Sequence, residues 1–215
     1  MKRRDVLFDV DSTLVEIEGL DYLAERKGLK DKLAPLTVQA MNGTLSMREA
    51  MVQKMDALRP SALDLEFMGH AYLQHVVLGV LETIEEIHRL GHRAWILTGN
   101  FQQAAELLAS GIGIPRNRVL ANQVILNDRG EYVGINPDLP LFNNHGKVVT
   151  ITNNSHRLHN ITMVGDGSTD AETKPVVDLF IGYGGVARRK AVEKTAEVYI
   201  KDRDLRKILP YLQTR

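Results

Sequence analysis

From residue 76 onward, short apolar runs alternate with amphipathic stretches of helical period, and this alternation limits the chain to few folds. The runs at 93–97, 119–121, 161–164, 179–181 and 198–200 read as buried strands. The stretches at 80–90, 101–110, 147–156, 187–194 and 205–212 read as helices, with Gly91 placed to stop the first of them. A helix between two strands returns the chain in the same direction. The repeat therefore predicts a doubly wound parallel sheet, an α/β core of Rossmann-like type.

Val6-Leu7-Phe8 predicts one further strand, which runs into the polar loop Asp9-Val10-Asp11-Ser12-Thr13. Between it and the alternating part lies a block of different character. Leu20, Leu23 and Ala24, then Leu33, Leu36, Val38 and Met41, then Met47, Ala50, Met51 and Met55, then Leu63, Phe67 and Ala71 recur at helical spacing. Breaks fall at Gly28, Gly43 and Pro60, so the block predicts three or four short helices and no strand. The expected organisation is a core of residues 1–16 and 76–215 with a small helical cap, 17–75, inserted after the first strand. Asn127-Asp128-Arg129-Gly130 supplies turn chemistry for a hairpin within 123–135.

The length of 215 residues suffices for one sizeable core plus a small accessory unit. Twenty-seven basic side chains balance 27 acidic ones, leaving no overall field to hold a nucleic acid or an anionic membrane. A small molecule is the expected partner, and a monomer or homodimer the expected state. The absence of cysteine excludes disulfides, thiolate nucleophiles and cysteine-bound zinc, and it fits a cytoplasmic setting. Met1-Lys2-Arg3-Arg4 resembles the basic start of a signal peptide, but Asp5, Asp9 and Asp11 break the apolar stretch that would have to follow. No run approaches the roughly 20 apolar residues of a membrane helix.

Three polar clusters follow predicted strands: Asp9-Val10-Asp11-Ser12-Thr13, Thr98-Gly99-Asn100 and Gly165-Asp166-Gly167-Ser168-Thr169-Asp170. In parallel sheets the carboxyl ends of the strands share one edge, so the clusters should converge there. Several carboxylates in one crevice repel unless a cation lies among them. All-oxygen ligation without cysteine points to magnesium rather than zinc. Taken singly, each aspartate also reads as a turn former or a helix cap.

Phe8-Asp9-Val10-Asp11-Ser12-Thr13-Leu14 and the cluster 165–170 resemble the first and last motifs of the haloacid dehalogenase superfamily of phosphatases. The resemblance extends to its phosphoserine phosphatase family. It runs through Glu18-Gly19-Leu20-Asp21, Ala40-Met41-Asn42-Gly43, Ile114-Pro115, Ala121-Asn122, Gly146-Lys147-Val148 and Phe180-Ile181-Gly182. It implies that Asp9 attacks phosphorus to form an aspartyl-phosphate, and that Asp11 protonates the leaving alcohol and then activates water. It implies Mg²⁺ held by Asp9, the Asp11 carbonyl and Asp166, with Asp170 in support. Thr98 and Gly99 would bind phosphoryl oxygens. Glu18 would meet the substrate amino group, and Met41 and Thr169 match further substrate-contacting positions. Without the resemblance, Glu18 reads as an acid favoured by a helix N-terminus.

Three positions depart from the family pattern. Lys54 stands where an arginine would fork onto a substrate carboxylate, and Met47 stands at an aromatic position. His145 aligns with the catalytic lysine. It reads either as a protonated stand-in for that lysine or as a polar loop residue of an impaired enzyme. Lys147 lies two residues on, which on a helix is about 200° away on the opposite face. His70, His75, His88, His92, His156 and His159 read as structural, and Arg188-Arg189-Lys190 as a solvated helix face. The expected activity is Mg²⁺-dependent hydrolysis of a small phosphomonoester, L-phosphoserine first. The alternatives are hydrolysis or phosphotransfer with another small phosphate, and a catalytically impaired phosphate-binding homologue.

Overall fold

Six apolar segments pair edge to edge in the computed structural model, which describes residues 2–41 and 44–213. The side chains of Thr37, Ala40, Met41 and Met47 lie outside the described residues, as do Asn42 and Gly43 of the family resemblance. The elements run in the order β1 (Asp5–Phe8), α1 (Gly19–Arg26), α2 (Lys30–Met41), α3 (Met47–Leu58), α4 (Ala62–Gln74), α5 (Val80–Arg89), β2 (Arg93–Phe101) and α6 (Gln102–Gly111). They continue with β3 (Val119–Asn122), β4 (Val124–Leu126), β5 (Tyr132–Ile135), α7 (Gly146–Asn153), β6 (Ile161–Gly165), α8 (Ser168–Ala171), β7 (Leu179–Tyr183), α9 (Lys190–Thr195), β8 (Val198–Ile200) and α10 (Leu209–Leu212).

The parallel sheet has the order β3-β2-β1-β6-β7-β8, as the strand–helix alternation predicts. Its strands are short and apolar because both faces are covered. Side chains alternate between two cores. Val6, Phe8, Ala94, Ile96, Val164 and Ile181 join the larger one, and Leu7, Trp95, Leu97, Met163 and Phe180 the smaller. The order reverses at β1, whose Phe8 pairs with Ile96 of β2 and Val164 of β6. Asp9, Thr98 and Asp166 each lie one or two residues beyond these partners, so register alone delivers them to one edge.

Four helices fill the interval between β1 and α5. Ser46 and Ser61 start α3 and α4 with reciprocal capping boxes, using Glu49 and Asp64. Leu23, Ala24, Leu33 and Leu58 form a small cluster of their own, whereas Leu65, Met68 and Tyr72 of α4 pack into the larger core. Val38 and Leu63, counted among the inward apolar residues by spacing, are 54% and 76% exposed. The two connections to the sheet lie side by side: Glu16 N–H donates to the His75 carbonyl (2.8 Å), and Val77 N–H to that of Leu14 (3.0 Å).

Several boundaries differ from the sequence reading. β2 runs on to Phe101 through a register shift after Leu97, so Thr98-Gly99-Asn100 sits in an irregular strand end. The expected helix at 205–212 is a 3₁₀ turn, Leu205–Ile208, that passes into α10. Pro210 lies in the first turn of α10, where a missing N–H costs nothing. The helix expected from 187 begins only at Lys190, and Arg189 precedes it in extended conformation. At the opposite edge of the sheet the Asp5 carboxylate is fully buried. It accepts from the Arg93 guanidinium (2.5 and 2.6 Å), Trp95 Nε1 (2.8 Å) and His159 N–H (2.7 Å). Among the described residues no helix is long and apolar enough to cross a membrane.

Candidate active site

A cavity of about 280 Å³ opens at the carboxyl edge of the sheet, beneath α1 and α3. Asp9 and Asp11, from the loop after β1, line it together with Thr98, Gly99 and Asn100 at the end of β2. Glu18 and Lys54 reach it from the helical side, and Thr169 from α8. The fold thus gathers most of the expected site residues in one place. Met41 closes α2, but its side chain lies outside the described residues.

Asp9, Asp166 and Asp170 each present an oxygen within 4.8 Å of the others. Burial and the neighbouring Asp9 charge push Asp166 up to about 6, and the Arg189 guanidinium moderates the rise. Burial also pushes Asp170 up, against the pull of Lys147. Three acids held this close, two of them buried and with no sulfur or imidazole among them, form a donor set that fits a hard divalent cation. The Asp11 carboxylate is not part of this group, and only its backbone carbonyl is left to serve as a metal donor. Its Oδ2 accepts instead from Asn100 Nδ2 (2.6 Å) and from Gly19 N–H (3.1 Å). Burial, with the charges of Glu18 and Asp9, raises its pKa well above the carboxylate range.

The expectation that His145 occupies the lysine position is corrected by the geometry. Lys147 Nζ lies 2.8 Å from Asp9 Oδ1 and 2.6 Å from Asp170 Oδ1, and its side chain is 6% exposed. His145 is 69% exposed and faces Glu172 at 3.1 Å, away from the acids. The reason is local. His145 takes a left-handed conformation (φ 59°) just before α7, so it stands outside the helix. Gly146 then lies against the Pro140 and Leu141 backbone, where any Cβ would collide, and this approach turns the next residue toward the sheet. The two side chains do face opposite ways, and the inward one is Lys147. Burial disfavours its charge, yet the carboxylates of Asp170 and Asp9 outweigh that and hold its pKa above that of ordinary lysine.

Arg189 is a second correction. Although 43% exposed, it is more than a solvated face: its Nε meets Asp166 Oδ2 at 2.8 Å, and its guanidinium lies 3.6 Å from Glu18. Glu18 also accepts from Ser12 Oγ (2.8 Å), and Thr13 Oγ1 donates to Asp166 (3.4 Å). Asn122 Nδ2 holds the Gly99 carbonyl (2.7 Å), and Asn100 N–H donates to Thr98 Oγ1 (3.1 Å). No periodicity marks Asn100, Asn122 or Arg189. The available signal was the placement of Asn100 and Asn122 at strand ends.

Comparison with known proteins matches residues 6–173 to the family described as haloacid dehalogenase-like hydrolase. Phosphoserine phosphatase of Bos taurus is 34% identical over 199 residues, covering 92% of this chain and 88% of that one. The Homo sapiens protein of the same name is 32% identical with the same coverage. A phosphoserine phosphohydrolase-like protein from Francisella tularensis shares the fold, with a TM-score of 0.83 at 21% identity over 98% of this chain and all of that one. The matched segment includes the Asp9 loop after β1, the Thr98 strand end, the Lys147 helix and the Asp166–Asp170 turn into α8. The chain belongs to the haloacid dehalogenase-like hydrolases and, among them, to the phosphoserine phosphatase-like phosphoric monoester hydrolases.

Proposed function

We propose that the enzyme hydrolyses L-phosphoserine to serine and inorganic phosphate through an aspartyl-phosphate on Asp9, with Mg²⁺ as its metal, in the cytoplasm. The observation that carries this reading is Asp9 itself. It lies at the cavity floor between a buried lysine and two further acids. A carboxylate is a weak nucleophile, and a dianionic phosphate repels it, so it works only where positive charge is fixed beside it.

Lys147 supplies part of that charge from the protein. Asp9, the Asp11 carbonyl and Asp166 would hold the ion, with Asp170 orienting Lys147 and the loop. When bound, Mg²⁺ neutralises the crowded acids and withdraws charge from the phosphoryl oxygens. Thr98 Oγ1 and the Gly99 amide bind the phosphoryl group. Asp11, high in pKa, carries the proton to the serine oxygen as the P–O bond breaks, then takes one from the water that attacks the aspartyl-phosphate. Glu18 meets the substrate ammonium and Lys54 its carboxylate, with Thr169 completing the pocket. Residues 17–75 act as a cap that excludes water during transfer.

Phosphate release from a panel of phosphoesters, with Mg²⁺ and then with EDTA, tests the reading. Release from phosphoserine that EDTA abolishes is expected, and silence on every ester would overturn it. Lys54 favours a second reading, another small phosphate ester as substrate, because a lysine offers one point charge where a guanidinium offers a fork. Under the first reading Lys54→Arg lowers KM for phosphoserine by roughly 3- to 10-fold. A KM that rises, with faster turnover of a phosphate lacking a carboxylate, favours the second. Impaired catalysis loses its motive, since a lysine does lie beside Asp9.

A further inference from the structure

Tyr72 is fully buried on α4, the helix that leads back to the sheet, and its ring has an evident packing role in the larger core. Its hydroxyl does not share that apolar setting. It lies against the backbone of Gly19, where a Cβ would collide with it, and beside the carboxyl of Asp11. Two buried polar atoms there are complementary and close, yet neither has a partner in good hydrogen-bond geometry: the Tyr72 hydroxyl and Asp11 Oδ1. Buried polar groups are nearly always paired in folded proteins, so a donor and an acceptor left side by side call for a role in the working cycle.

The rest of the Asp11 environment fixes what such a pair would do. Oδ2 already accepts from Asn100 Nδ2 and Gly19 N–H, both at hydrogen-bond distance (2.6 and 3.1 Å). Those two contacts leave the carboxyl free to pivot about Oδ2. A third contact at Oδ1 fixes its plane. A hydroxyl suits that place because it donates to an ionised oxygen and accepts from a protonated one, so it follows either state. We propose that Tyr72 is a positioning residue for the reaction, its hydroxyl engaging Asp11 Oδ1 so that, with Asn100 and the Gly19 amide, it fixes the orientation of the carboxyl that moves the proton. Gly19 begins α1 and Tyr72 lies near the end of α4, so two of the three contacts come from the helical insertion. Orientation of the acid is thereby tied to the position of those helices.

This inference rests on the reading of Asp11 as the acid and base, and a mutant cycle separates the two. Tyr72→Phe keeps the ring and its packing and removes only the oxygen. On phosphoserine with Mg²⁺, kcat is expected to fall about 10- to 100-fold, as for a misplaced catalytic group, with KM within about twofold. In an Asp11→Asn background the same change is expected to cost less than about twofold further, because both act through one carboxyl. Thermal unfolding of each variant checks that the fold is retained. An unchanged kcat in Tyr72→Phe, or an equal loss in both backgrounds, overturns the role of Tyr72. Full turnover by Asp11→Asn would instead overturn the reading of Asp11, and the inference with it.

Discussion

Replacing Lys147 by methionine removes the cation that pairs with both Asp9 and Asp170 while keeping most of the volume. Both ion pairs are short, 2.8 and 2.6 Å, and the lysine is 6% exposed, so solvent cannot take over its part. Stripping one partner from a buried pair costs about 3–5 kcal/mol when the charge left behind stays ionised. Here the remaining acids can escape by taking up protons, and the sign of that escape sets the pH dependence. Burial already raises Asp166 and Asp170, and losing the lysine raises Asp170 further. An acid whose folded pKa exceeds its unfolded one is stabilising when protonated and loses that advantage as pH rises through the folded value. Unfolding by urea in EDTA should therefore show a loss of about 1 kcal/mol at pH 5 and about 3–5 kcal/mol at pH 8. With Mg²⁺ present, turnover should fall by about 10²–10³, the usual effect of deleting one fixed charge or donor facing the reacting group. His145→Ala is the control: it removes only an exposed contact with Glu172, worth about 0–1 kcal/mol, and should leave turnover within about twofold. Equal destabilisation at pH 5 and pH 8 would refute the charge-balance argument. Turnover that survives Lys147→Met but collapses in His145→Ala would refute the assignment of the lysine.

Asp9→Asn should abolish phosphate release while the melting temperature stays level or rises, since it relieves repulsion among three acids; differential scanning fluorimetry beside the phosphate assay decides, and retained turnover would exclude Asp9 as nucleophile. Mg²⁺ at about 100 times its Kd should add about 2.7 kcal/mol, or roughly 5–10 °C in melting temperature, and Asp166→Asn should shrink that shift; an identical shift in the variant would place the ion elsewhere. Asp5→Ala should cost about 3–5 kcal/mol in urea unfolding, because it strands the Arg93 guanidinium and leaves Trp95 Nε1 without its acceptor, yet kcat of the folded fraction should not change, as Asp5 lies at the far edge of the sheet; a changed kcat would show the two edges to be coupled.

The sheet was legible because its cause is local and repeated. Each strand is an apolar run followed by a helical stretch, and only one handed, parallel arrangement satisfies that order. The acidic site was legible for the same reason, since Asp9, Thr98 and Asp166 follow three strands whose register fixes their common edge. What failed to show was everything set by the direction of a single side chain. His145 and Lys147 differ by two positions, and which of them faces Asp9 depends on where α7 begins. That start is decided by Gly146 pressing on Pro140 and Leu141, a contact between segments that no periodicity encodes. Arg189 obeys the same logic: the run of three basic residues predicts a helix face, but α9 starts one residue later and Arg189, still exposed, reaches Asp166. The same logic hides Tyr72, which by sequence is one more large residue on a helix. Its hydroxyl comes beside Asp11 because Gly19, lacking a Cβ, lets α1 and α4 close together there. Backbone pattern thus fixes which loops meet, and close contacts between distant segments then choose the atoms that do the chemistry there.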